Sequence, residues 1–180
     1  NGAAFRRLKV RQCVLRDVSA SDTSTTIFGE TWNIPAALAP VGFAGMFAKR
    51  GEVQAAKAAE NFGVPYTLST VGICAIEEVA QATTRPFWFQ LYVIKDRGYS
   101  KALLQRAHEA GCTALVFTVD LAVLGARYRD TRNGMGAAMP LGQTLRVAAH
   151  YARRWHWLRN VALGGRPLAS ASLRAAVPDA

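Results

Sequence analysis

Residues 86–120 read PFWFQLYVIKDRGYSKALLQRAHEAGCTALVFTVD, and this stretch decides the fold. Residues 86–93 and 114–120 are short runs of apolar, aromatic and β-branched residues, which suit buried strands. Between them, residues 99–110 form a mixed helical run that stops at Gly111, a residue that tolerates positive φ. Two buried strands joined by a helix pair in parallel, because parallel neighbours need a long crossover.

The same alternation extends upstream. Residues 66–70 (YTLST) read as a strand and residues 76–83 as a short helix. Residues 52–62 read as an amphipathic helix, with Val53, Ala56, Ala59 and Phe62 on one face, Lys57 and Glu60 on the other, and Gly63 as the stop. Residues 34–41 (IPAALAPV) are the first apolar run. Strand–helix repetition predicts an α/β fold with helices packed outside a parallel sheet. An open doubly wound sheet would want G-x-G-x-x-G after its first strand. The glycines of GFAGMFAKRG have another spacing, so a TIM barrel, (β/α)₈, is favoured. Such a barrel needs about 250 residues. This chain of 180 shows about the first four βα units, a partial barrel. Residues 1–33 read as a lead-in with a short strand near 10–15, residues 34–132 as the first half of the barrel, and 133–180 as a loop and a basic C-terminal extension. The loop is expected over 128–141 and a helix over 143–162. The chain opens at Asn1 without an initiator Met, which suits a fragment.

Parallel barrel strands are buried on both faces, so polar residues in them need a reason. Gln90 and Tyr92 stand two apart at the carboxyl end of the third strand, and Thr118 and Asp120 stand two apart at the end of the fourth. Residues two apart share a face. The second strand ends in Ser69 and Thr70, and the first in Pro40, Val41 and Gly42, which leaves bare backbone near the mouth. Barrel active sites are built from these carboxyl ends. Any one of these residues fits an ordinary strand end entering a loop; the joint pattern points to a site. A carboxylate such as Asp120 there would orient a histidine or pair with a cation.

The stretches APVGFAGMFAKRGEVQAAKAAENFGVPYTLSTVGICAIEEVA and PFWFQLYVIKDRGYSKALLQRAHEAGCTALVFTVDLAVLGARYRD resemble the FMN-dependent α-hydroxy-acid dehydrogenases and oxidases. Respiratory L-lactate dehydrogenase, mandelate dehydrogenase and glycolate oxidase belong to that family. The likeness runs from Asn1 to Arg132 and returns more weakly at WLRNVALGGRP; TLST, WFQLYV, TVD and GARYRD in this order are its most specific parts. The resemblance implies a (β/α)₈ barrel, FMN as cofactor, and oxidation of an L-2-hydroxy acid of lactate or mandelate type to the 2-keto acid. It implies that the backbone of Pro40, Val41 and Gly42 lies against the flavin, and that Ser69, Gln90 and Thr118 hydrogen-bond it. Tyr92 would hydrogen-bond substrate, Arg127 would grip its carboxylate with a planar guanidinium, and Asp120 would pair with the catalytic histidine. Gly42 beside the flavin would leave more room than alanine.

The departures are as informative. The family's histidine followed by two glycines and an arginine does not occur here. His108, His150 and His156 lack that context and read as surface or packing residues. The lysine near flavin N1 and the phosphate-binding loops belong to the other half of the family's barrel. Ala122 stands where a proline is common, which would loosen the loop between Asp120 and Arg127. The leading reading is therefore the amino-terminal portion of such an oxidoreductase, lacking the catalytic histidine. The alternative is an inert half-barrel or truncated product that acts only as an association module, since unpaired strand edges invite association. A flavin-dependent isomerase is disfavoured, because TVD with GARYRD suits a carboxylate substrate.

Charge and cysteines narrow the partners. Half of the net charge of +10 comes from residues 141–180, where six arginines face only Asp179. QTLRVAAHYARRWHWLRNVA, residues 143–162, combines Arg, Trp and Leu as a helix at an anionic membrane surface would; a solvated loop and helix is the other reading. The resemblance adds a quinone or other electron acceptor, a cytoplasmic site peripheral on the inner face of the plasma membrane, and a tetramer for the full-length protein. No nucleic-acid fold accompanies the charge. Cys13, Cys74 and Cys112 are odd in number and far apart, as expected of reduced thiols without a metal site.

Overall fold

The computed structural model describes residues 2–120, 125–133, 141–164 and 170–171. A short helix α1 (Gly2–Arg7) opens the chain, and β1 (Thr25–Ile27) pairs antiparallel with β2 (Glu30–Trp32). Phe28 and Gly29, with φ of 53° and 81°, make the two-residue turn that matches strand twist. The expected strand at residues 10–15 does not form; those residues are exposed and irregular. The hairpin and α1 are the regular structure of the lead-in. Trp32 is buried, with the Arg85 guanidinium 4.1 Å from its ring centroid.

The first apolar run contributes less strand than expected. Leu38 makes one parallel bridge to Tyr66, with Leu38 N–H donating to Pro65 O at 2.8 Å and Thr67 N–H to Leu38 O at 3.1 Å. The rest of residues 34–41 is irregular. A 3₁₀ turn (Ala44–Met46) then leads into α2 (Gly51–Phe62), which ends at Gly63 with φ of 82°. The units β3 (Thr67–Ser69), α3 (Ile76–Ala80), β4 (Trp88–Leu91), α4 (Arg97–Glu109) and β5 (Ala114–Phe117) follow in the expected order. Asp96 caps α4 by accepting the N–H of Tyr99 at 3.0 Å. The sheet runs β3–β4–β5, all parallel, and Leu38 adds a fourth position beside β3.

The core lies between this sheet and its helices, with Val53, Ala56, Leu68, Val79, Phe89, Leu91 and Leu103 all buried. Arg106 of α4 binds Glu77 of α3 through two hydrogen bonds of 2.8 and 2.9 Å. That pairing holds the Glu77 carboxyl below its ordinary value. β3 and β4 are buried on both faces as a barrel strand should be, but β5 is not. Leu115 and Phe117, on one face of β5, are about half exposed, while Ala114 and Val116 on the other face are less so.

The C-terminal part departs from expectation twice. The region read as a loop contains a helical turn, α5 (Tyr128–Arg132), and residues 134–140 of that loop lie outside the described residues. The single helix expected over 143–162 is broken into α6 (Leu141–Ala152), α7 (Trp155–Trp157) and a π-helical turn (Leu158–Leu163). Trp157 fixes this segment to the barrel by donating its indole N–H to Met46 O at 2.6 Å.

The cysteines offer a test of the packing. Cys13 is exposed, whereas burial pushes the thiols of Cys74 and Cys112 up to about 12. Near pH ~8 the native protein should show one rapidly reacting thiol toward a disulfide reagent, and all three only after denaturation. Three fast thiols in the native state would contradict this packing.

Candidate functional site

Three neighbouring strands bring three of the expected residues into one hydrogen-bonded row. Ser69 lies opposite Gln90 in the β3–β4 register, and Thr118 follows the end of β5. Ser69 Oγ donates to Gln90 Oε1 at 3.1 Å, and Gln90 Nε2 donates to Thr118 Oγ1 at 2.8 Å. The N–H of Thr70 reaches the same Gln90 Oε1 at 3.3 Å. These contacts fix the amide's orientation: its oxygen faces β3 and its nitrogen faces β5. Ser69 and Gln90 are 3% and 1% exposed, so the row is buried at these two members, while Thr118 beside them is half-buried. Buried polar groups of this kind remain only where they are satisfied.

Thr70 braces the row from behind. Its hydroxyl donates to Gln90 O at 2.5 Å and accepts from Tyr92 N–H at 3.0 Å. Tyr92 is thereby placed half-buried at the end of β4. Buried Ser170 donates to Thr70 O at 3.2 Å, so the C-terminal segment also reaches this rim. Neither brace was read as functional from sequence. Thr70 was visible only as a strand-end residue, and Ser170 had no local signal.

Pro40, Val41 and Gly42 follow the Leu38 bridge at the same end of the sheet, and Phe43 N–H donates to Val71 O at 3.0 Å. Gly42 packs directly on Val71: a Cβ built on it would stand 2.7 Å from Val71 Cγ2. Its missing side chain therefore serves loop packing as well as leaving space at the mouth. The other glycines of GFAGMFAKRG have the same use. A Cβ on Gly45 would lie 2.7 Å from Ile73 Cβ, and one on Gly51 would lie 2.5 Å from Ala44 O.

Asp120 and Arg127 are not part of the buried row. Asp120 is exposed, and Arg127, with its side chain 81% exposed, stands 4.0 Å from Asp130. Residues 121–124 between them, with Ala122, lie outside the described residues. The three histidines are exposed on helices, His108 on α4, His150 on α6 and His156 on α7.

One residue was missed altogether. Glu52, in the first turn of α2, is fully buried, and its Oε1 accepts the N–H of Gly45 at 3.1 Å and of Ile73 at 2.7 Å. An acidic residue one position into a helix is a common N-terminal feature, and only its complete burial sets it apart.

A family model described as FMN-dependent dehydrogenase matches residues 1–178. The chain belongs to this family. The L-lactate dehydrogenase of Ectopseudomonas mendocina (strain ymp) is 53% identical over 168 residues, which is 93% of this chain and 43% of the relative. That of Actinobacillus pleuropneumoniae serotype 5b (strain L20) is 55% identical over 161 residues, 89% of this chain and 41% of the relative. Among solved structures, mandelate oxidase superposes with a TM-score of 0.68 at 41% identity, covering 78% of this chain and 41% of that one. An active chimera of (S)-mandelate dehydrogenase gives 0.67 at 27% identity, covering 82% and 46%. This FMN-dependent dehydrogenase chain thus spans less than half the length of the relatives it matches. Its described part is the opening of their α/β barrel, and the family's cofactor is FMN.

Proposed function

We propose that this chain supplies the amino-terminal half of an FMN site in an enzyme that oxidises an L-2-hydroxy acid, of lactate or mandelate type, to the 2-keto acid. The observation that carries this is the hydrogen-bonded Ser69–Gln90–Thr118 row at the carboxyl ends of three adjacent strands. A primary amide has two N–H groups and a hydroxyl has one proton. After the internal contacts, the second N–H of Gln90 and the proton of Thr118 can serve acceptor atoms of a planar heterocycle. The backbone at Pro40, Val41 and Gly42 supplies a wall on which such a ring can rest. Bound FMN would supply two-electron acceptance.

This chain's residues then divide the remaining work. Ser69, Gln90 and Thr118 hold the ring, and Tyr92 presents its hydroxyl to the substrate. Arg127 binds the substrate carboxylate through both oxygens, which requires its loop to turn from Asp130 toward the rim. Asp120 stabilises the protonated form of a histidine that this chain does not contribute, since none of His108, His150 and His156 lies in the row. The acceptor of the electrons is a quinone or another carrier. The basic segment at α6 and α7 rests peripherally on an anionic membrane surface, its exposed Leu145 and Trp155 at the lipid boundary. No described helix is long and apolar enough to cross a membrane.

The test compares this 180-residue chain with the full-length protein. The full-length protein should retain FMN through gel filtration and reduce a dye with L-lactate or L-mandelate. The chain alone should do neither. A full-length protein without FMN, or a short chain that holds it stoichiometrically, would overturn the proposal. In the full-length enzyme Arg127→Lys should raise KM for the hydroxy acid by roughly 10-fold to 100-fold while FMN affinity stays within about 2-fold, because one cation cannot replace a bidentate fork. Equal losses of both would remove Arg127 from the substrate site.

A further inference from the structure

Two turns at the carboxyl rim meet without room for side chains between them. The first, Gly42 to Gly45, follows the Leu38 bridge; the second, Val71 to Ile73, follows β3. A Cβ on Gly42 would strike Val71, and one on Gly45 would strike Ile73, each at 2.7 Å. Directly beneath this joint lies Glu52, fully buried. One of its carboxylate oxygens accepts an N–H from each turn, Gly45 at 3.1 Å and Ile73 at 2.7 Å. A Cβ on Gly72 would stand 3.5 Å from Glu52 Cγ, so the second turn also packs on the stem of this side chain.

We infer that Glu52 is a positioning residue, a carboxylate clasp that sets the spacing of the two rim turns and so the wall offered to the flavin. Its position in the first turn of α2 makes the clasp rigid, because the helix is packed through Val53, Ala56 and Ala59. The positive end of the helix favours a carboxylate there. The surroundings are protonated neighbours. Burial, and after it Glu52, raises the Tyr66 hydroxyl and pushes the Cys74 thiol up to about 12. Both therefore face the clasp as neutral groups. The clasp stands on these contacts alone; its consequence for flavin rests on the proposed function.

The experiment uses the full-length protein and two variants. Glu52→Gln keeps a side-chain oxygen that accepts both N–H groups, and Glu52→Met keeps the length and removes the acceptor. Amide hydrogen exchange at Gly45 and Ile73 should quicken by roughly 10-fold to 100-fold in Glu52→Met and return to within about 3-fold of wild type in Glu52→Gln. FMN affinity should fall by roughly 10-fold in the Met variant, with a changed visible absorption band, and the Gln variant should restore both. Unchanged exchange at both amides in Glu52→Met would overturn the clasp. Faster exchange with wild-type FMN affinity and spectrum would overturn its positioning role. Should Glu52→Met fail to fold, wild-type exchange decides: unprotected amides at Gly45 and Ile73 would overturn the clasp, and protected ones support it. A wild-type protein that binds no FMN would overturn the proposed function, and the amide result would still judge the clasp.

Discussion

Gln90→Leu in the full-length enzyme should lose FMN, with the dissociation constant rising by about 100-fold or more. Leucine fills the volume of Gln90 but cancels its contacts on both sides. Ser69 Oγ loses its acceptor and Thr118 Oγ1 loses its donor, while Thr70 N–H keeps the Gln90 backbone carbonyl. Each buried group left without a partner costs about 1–3 kcal/mol, so the row should rearrange before it can hold a ring. Gln90→Glu separates the two halves of this argument. It keeps the acceptor facing Ser69 and replaces the donor facing Thr118 with a second acceptor. Its FMN affinity should lie between those of wild type and Gln90→Leu. Fluorescence titration of the apoprotein with FMN measures all three. An affinity of Gln90→Leu within about 3-fold of wild type would remove Gln90 from the flavin site.

The row was legible in the sequence because polar residues in buried parallel strands are rare and need an explanation. Gln90 and Thr118 stood out for that reason, and their places at the carboxyl ends of neighbouring strands put them at one rim. The barrel order was legible for a related reason: strand and helix periods differ, and the glycines at 63 and 111 mark two helix ends with positive φ. The clasp was not legible. Nothing local separates a solvated acidic residue in a first helical turn from one that is fully buried, since the burial of Glu52 depends on two turns that meet only in the fold. The hairpin was missed because three-residue strands carry too little alternation to show a period. The break at Arg154 in the basic segment was missed because it lacks Pro or Gly; its φ and ψ of −99° and 53° accompany the seating of Trp157 on Met46.

The strand alternation that turns Gln90 inward turns Phe89 and Leu91 toward the helices. Phe89 is 1% exposed on the central strand, opposite Leu68 on one side and Leu115 on the other. Phe89→Ala should therefore cost about 3–5 kcal/mol of unfolding free energy. The cavity cannot collapse easily, because β4 is held in register by neighbours on both edges and α4 is tied to α3 by the Arg106–Glu77 pair. Denaturant unfolding of the full-length protein, followed by far-ultraviolet circular dichroism, measures the cost. Leu115→Ala on β5 provides the contrast. At 50% exposure Leu115 should cost less than half as much if this face of β5 is open in the full-length protein as well. A cost for Leu115 equal to that for Phe89 would show that further chain packs on this face of β5 there, as a closed barrel with its outer helices requires. The pair of measurements thus reports on core packing through Phe89 and on closure of the barrel through Leu115, without reference to flavin or catalysis.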